Sequence, residues 1–129
     1  MSRKNDMKLG FESENKCKIY IEDITGSLNK TNMFDVFDYY NDEYLVELKT
    51  RRNEYNKYPT TMIGLNKIIE AKKELKKCLF CFKFTDGLYY HIFDKNIDYE
   101  IKRGGRSDRG CFEIKDYVYI NINQLIKIN

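Results

Sequence analysis

Seven consecutive residues, Cys78–Phe84 (CLFCFKF), carry one lysine and otherwise only thiol and apolar side chains. A strand turns successive side chains to opposite faces, so a run without alternation is apolar on both. Such a strand needs a sheet with a covering layer above and below it. The rest of the chain can supply those layers. Its 129 residues are 42% hydrophobic and 33% charged, with one Pro, which excludes a disordered or collagen-like chain and predicts one domain with a real core.

Periodicity places the covering elements. From about Lys8 to Ile24 the apolar residues Phe11, Cys17, Ile21 and Ile24 fall near one helical face, and Thr25-Gly26 ends the pattern. The polar residues 1–7 are expected to fray. Residues 34–40 (FDVFDYY) and 43–50 (EYLVELKT) read as a β-hairpin turned by Asn41-Asp42. A polar loop over 51–60 leads to a second predicted helix, from about Thr61 to Lys77, with Ile63, Ile68, Ala71 and Leu75 as its buried stripe. Asp86-Gly87 turns Cys78–Phe84 into Leu88–Phe93. Further strands are expected at Asp98–Arg103 and Tyr117–Ile122, on either side of a Gly-rich basic loop over 104–110. The order predicts a mixed α/β (α+β) domain on a largely antiparallel central sheet flanked by helices.

The hairpin concentrates the chemistry. With a two-residue turn, Tyr40 pairs with Glu43, Asp38 with Leu45 and Val36 with Glu47. Alternation then puts Asp38, Glu47 and Lys49 on one face, with the two acids diagonal neighbours and Asp35 on the other side. Glu47 interrupts Tyr44-Leu45-Val46-Glu47-Leu48, otherwise a buried-strand pattern, and a carboxylate there is costly unless paired or metal-bound. An ion pair to Lys49, or an edge strand with one wet face, is the simpler account of the same pattern. Glu14 lies on the apolar stripe of the first helix. It either faces the hairpin as a third acid or begins the helix, where the dipole favours it.

These residues carry a resemblance. Asp38, then Glu47-Leu48-Lys49, resembles the Asp…(Asp/Glu)-x-Lys signature of the PD-(D/E)XK nuclease superfamily, with a helix before and after it in the expected order. The segments FDVFDYYNDEYLVELKTRRN, YPTTMIG and GRSDRGCFEIKDYVYI are similar to small members from large DNA viruses. No Pro precedes Asp38, and the first core strand expected before the hairpin is short, around Ser27–Lys30. The resemblance implies a restriction-endonuclease-like core. It also implies a Mg²⁺-dependent endonuclease that hydrolyses DNA phosphodiesters, more readily than RNA, with Mn²⁺ able to substitute. By it, Asp38, Glu47 and the backbone carbonyl of Leu48 hold the ion, Lys49 positions the attacking water, and Glu14 completes the site or holds a second ion. It allows a homodimer that cuts two strands, and a preference for branched or nicked structures over long sequences.

The first half of the chain is slightly acidic and the second half basic, so acids would face a basic surface. Arg51, Arg52, Lys67, Lys72, Lys73, Arg106 and Arg109 are candidates for a phosphate-binding rim, with Thr60 and Thr61 as caps of the second helix. Each is equally read as a solvated charge or a plain cap. Cys78 and Cys81 point to opposite strand faces, which argues against a shared zinc or disulfide. His91, the one histidine, offers a metal-free ribonuclease as an alternative, and a catalytically silent binding module is another. The start MSRKNDMKLG lacks an apolar h-region and no run is long enough to span a bilayer, so an intracellular protein without membrane contact is expected, in the cytoplasm or nucleus of an infected cell.

Overall fold

The computed structural model describes residues 3–32, 35–104 and 115–129, with side chains for 14–32, 35–103 and 116–129. Helix α1 (Arg3–Thr25) begins earlier than its apolar stripe suggests, within the residues expected to fray. It stops at Gly26, whose φ of 81° is the left-handed conformation that glycine adopts without strain. The Gly26 amide donates to the carbonyl of Glu22 at 2.9 Å. Strands β1 (Asn29–Lys30), β2 (Tyr39–Tyr40) and β3 (Tyr44–Thr50) follow. Next come β4 (Thr60–Gly64), α2 (Leu65–Lys73), β5 (Lys77–Phe84) and β6 (Gly87–Ile92). Then β7 (Glu100–Gly104), β8 (Lys115–Asn121), a 3₁₀ turn (Ile122–Gln124) and β9 (Ile126–Lys127) close the chain. No described helix is long and apolar enough to cross a membrane.

Six strands form the main sheet in the order β1-β2-β3-β5-β6-β9, and three form a second sheet, β4-β8-β7. All pairings are antiparallel except β3 with β5, which run parallel because β4 and α2 form the crossover between them. The architecture is a mixed α+β fold consistent with the restriction-endonuclease-like core. As the unbroken apolar run requires, β5 is buried on both faces. Cys78, Phe80, Phe82 and Phe84 pack with Ile68 and Ala71 of α2, Ile63 of β4, and Val118 and Ile120 of β8. Leu79 and Cys81 face the other way, with Val46, Tyr39, and Cys17 and Ile21 of α1. Cys78 and Cys81 therefore lie in different cores.

The expected helix over 61–77 needs correcting at both ends. Residues 60–64 form β4 instead. Thr61 and Ile63 are buried in alternation, and Ile63 pairs with Val118 of β8, so strand partnership and β-branched side chains decide the local structure. Thr60 and Thr61 consequently do not cap α2; its N-cap is Gly64, with no side-chain cap bond. At the other end Glu74 is already extended, so Leu75 is fully exposed rather than part of a buried stripe.

Candidate active site

The turn between β2 and β3 spans Asn41–Glu43, three residues rather than two. Asn41 is the cause. Its Oδ1 accepts from the amides of Glu43 and Tyr44 at 2.9 and 2.7 Å, and its Nδ2 donates to the carbonyls of Thr25 and Ser27. One side chain thus closes the turn and ties it to the C-terminal end of α1, where carbonyls lack helical partners. Tyr39 then pairs with Val46 and Tyr40 with Leu45, a register two residues away from the expected one. A two-residue slip keeps every side chain on its face. It leaves Asp38 just before the paired residues, beside Val46 and Leu48 of β3 and near enough to Glu47 for the two charges to interact.

Asp38 sits where β2 ends. Its amide donates to the carbonyl of Val46 at 2.9 Å, and its carboxylate Oδ2 accepts from the Leu48 amide at 2.8 Å. The side chain takes the place that a strand carbonyl would have filled. The N–H and C=O of one strand residue point to the same side, so the Leu48 carbonyl projects past the end of β2, beside Asp38.

Glu47 is 2% exposed. Its Oε1 lies 3.2 Å from the ammonium of Lys49 and its Oε2 lies 3.3 Å from that of Lys67. The second contact is an ion pair without hydrogen-bond geometry, so Oε2 is buried and lacks a hydrogen-bond donor. Burial and the neighbouring charge of Asp38 push the Glu47 carboxyl above its usual range, against the opposite pull of the two lysines. Two lysines therefore do not fully compensate this carboxylate.

The second lysine comes from α2. Lys67 was expected on an outer rim, yet its side chain is only 17% exposed and its ammonium also donates to the carbonyl of Val36. The signal was present in the sequence, because Lys67 precedes buried Ile68 and stands four residues before buried Ala71, on the inward side of the helix. Lys49, Arg51 and Lys67 line a cleft of about 400 Å³ with Gly64, Asn66 and Tyr117.

Other candidates lie elsewhere. Glu14 is on the opposite side of the main sheet, where its Oε1 accepts from the hydroxyl of Tyr39 at 2.8 Å. Burial and that carboxylate raise the Tyr39 pKa and keep the phenol protonated. Among the described residues no three His, Cys, Asp or Glu side chains converge, so Glu14 does not join the pair. Arg51 is inserted between the sheets. Its guanidinium lies over the Phe82 ring at 5.7 Å and donates to the Met62 carbonyl, with Thr61 Oγ1 3.5 Å from Nε. Burial lowers its pKa. Arg52, Lys72 and Lys73 are exposed, while Arg106 and Arg109 lie outside the described residues. His91 is buried with both ring nitrogens engaged, Nδ1 at 3.2 Å from the Gln124 carbonyl and Nε2 at 2.8 Å from the Tyr99 hydroxyl. That arrangement suits a structural residue.

An acid pair at the end of a two-residue strand, a lysine two residues past the second acid, and a parallel β3–β5 crossover are now in place. A family model described as "Phage putative PDDEXK endonuclease" matches residues 4–128. The chain belongs to this family. No curated protein and no solved structure matches it. Membership in a PDDEXK endonuclease family makes nucleic acid the substrate class and gives the acid–acid–lysine geometry a chemical context.

A divalent metal is general to PDDEXK nucleases, and the residues present fit one. The Glu47 Oε2 lacks a hydrogen-bond donor, and it, the Asp38 carboxylate and the Leu48 carbonyl are hard oxygen donors of the kind a divalent cation takes.

Proposed function

We propose that this chain is a Mg²⁺-dependent endonuclease that hydrolyses DNA phosphodiesters within one domain, with Mn²⁺ able to replace Mg²⁺. The observation that carries the reading is the buried Glu47 carboxylate, within electrostatic reach of Asp38 and held between the ammoniums of Lys49 and Lys67.

Asp38, Glu47 and the Leu48 carbonyl would hold the ion. When bound, it supplies Lewis-acid stabilisation of the charge that builds on the phosphoryl oxygens. The chain's own residues do the rest. Lys49, half-exposed at the cleft, donates a hydrogen bond to the attacking water and aligns it with the phosphorus. Lys67, anchored on the Val36 carbonyl, fixes the rotamer of Glu47. Arg51 holds β3 to β4, so the cleft wall keeps its distance from the acids, and places a positive charge where the substrate phosphate enters. A domain of this size has little surface for reading a long site, which favours recognition of branches, nicks or ends. Two copies acting together would cut both strands.

Plasmid and branched DNA incubated with Mg²⁺ test the reading. Cleavage is expected from the wild type, with a loss of at least about a hundredfold in Glu47→Ala and Lys49→Ala. Undiminished cutting by both variants refutes the assigned site.

A further inference from the structure

The cleft does not end at Arg51. A second hollow of about 690 Å³ opens beside it, and the two share Arg51 and Met62 in their walls. The polypeptide between β3 and β4 forms much of it. Arg51, Arg52 and Lys57 contribute three cations, Tyr55, Tyr58 and Tyr119 contribute three tyrosine rings beside the buried Phe84, and no Asp or Glu among the described residues lines it. In a chain with 20 acidic residues, a recess walled by cations alone carries a positive local potential.

The three rings are not equivalent. Tyr55 is stacked on Tyr89 at 4.1 Å and its hydroxyl donates to the Ile122 carbonyl, so it is committed to packing. Tyr119 is half-buried in β8, with the ammonium of Lys102 5.8 Å from its ring. Tyr58 is 53% exposed, and packing of the core does not account for its position. Its backbone is nevertheless held. The carbonyl of the next residue, Pro59, accepts from the Ile122 amide at 3.1 Å, and the Lys57 amide donates to the Glu54 carbonyl. The Lys57 ammonium lies 5.6 Å from the Tyr58 ring centroid. An exposed ring on a fixed backbone, beside two exposed cations, is the combination that binds an unpaired strand: the ring takes a base and the cations take phosphates.

We infer that this second hollow holds an unpaired segment of the DNA strand next to the scissile phosphate, with one base stacked on Tyr58 and its phosphates against Arg52 and Lys57. The position relative to the scissile bond rests on the hydrolytic reading above. Base faces are available only in an unpaired strand, because a duplex presents base edges and phosphates.

The test measures binding in EDTA by fluorescence anisotropy, with a labelled oligothymidylate of roughly 10 nucleotides and a duplex of equal length. The wild type is expected to bind the single strand more tightly. Tyr58→Ala weakens that binding by about fivefold or more, Tyr58→Phe restores it, and neither changes duplex binding. Arg52→Ala flattens the salt dependence of single-strand binding by about one ion. Equal affinity for both probes, or single-strand binding untouched by Tyr58→Ala, overturns the inference. Plasmid cleavage with Mg²⁺ is scored separately. Selective single-strand binding without cleavage fails the hydrolytic reading and supports the hollow's assignment. Cleavage without single-strand preference does the reverse.

Discussion

Replacing Glu47 by Gln separates a metal-site carboxylate from an ordinary buried ion pair. In the folded chain the Glu47 pKa lies above its ordinary value of 4.5, because burial and Asp38 outweigh Lys49 and Lys67. A carboxyl with a raised folded pKa binds its proton more tightly when folded. Its neutral form therefore favours the fold at and below pH 4.5. As pH rises from there through the folded pKa, the unfolded chain ionises first and stability is lost. Each unit of upshift corresponds to about 1.4 kcal/mol. Glu47→Gln keeps the shape and removes the titration. In EDTA at pH 7 the variant is expected to be at least as stable as the wild type, and its stability lacks this group's contribution to the fall with pH. A divalent ion inverts the order. An ion at about a hundred times its Kd stabilises the wild type by roughly 2.7 kcal/mol and leaves the variant unmoved. Urea unfolding followed by circular dichroism suits a chain without Trp. A variant several kcal/mol less stable than the wild type in EDTA, together with no Mg²⁺-linked gain in the wild type, would show that Glu47 is only an ion-pair partner of the lysines.

Lys67→Met keeps the stem of the side chain and strands the buried Oε2. Stability at pH 7 is expected to fall by about 3 kcal/mol, and by less as pH is lowered and Glu47 takes up a proton; a loss that does not change with pH would refute the pairing. Asn41→Ala removes the bonds to Glu43, Tyr44, Thr25 and Ser27 together, and about 2 kcal/mol of lost stability is expected by thermal unfolding, against a few tenths if the turn closes without it. Burial lowers the His91 pKa below 6.5, so its neutral form favours the fold. That contribution is present above pH 6.5 and is lost as pH falls through the folded pKa, and His91→Gln should flatten this limb while leaving cleavage unchanged. EDTA-resistant RNA cleavage lost in His91→Gln would instead make the histidine catalytic.

Local pattern carried much of this structure. The unbroken run of β5, the opposite facing of Cys78 and Cys81, and the shared face of Glu47 and Lys49 follow from a two-residue period, whereas the turn after β5 falls on Thr85-Asp86, one position before the expected Asp86-Gly87, because Phe84 pairs with Gly87. What local pattern lacked was partnership. Residues 60–64 satisfy a helical stripe through Ile63 equally well, and only the pairing of Ile63 with Val118, far away in sequence, selects the strand. The turn length was hidden because Asn41 acts through contacts to Thr25, the last residue of α1, and to Ser27 just beyond it, which no window around the hairpin contains. Glu14 satisfied the stripe of α1, but α1 packs on the face of the sheet away from Glu47, which the stripe alone does not specify. Lys67 was legible as a cation and not as an inward one, because the helix was expected to start too early.

The shortness of β2 is what makes a site here. A full-length neighbour would pair the whole backbone edge of β3 and leave Asp38 as one more ladder residue. With β2 reduced to Tyr39 and Tyr40, the Leu48 amide turns to the Asp38 carboxylate, and the adjoining carbonyl loses its strand partner. On the other edge β3 is locked to β5 along seven residue pairs, from Tyr44–Lys77 to Thr50–Lys83, so the opening costs no rigidity. Chain order places Glu47 and Lys49 beside the opening, and the crossover through α2 delivers Lys67 above them. The same crossover needs β4 and its loop, and these form the Arg51–Tyr58 recess. Acid pair, lysines and recess are thus consequences of one topological choice, a parallel β3–β5 pair beside a truncated strand. Lengthening β2 by pairing residues 36–38 would be expected to abolish the site without unfolding the sheet.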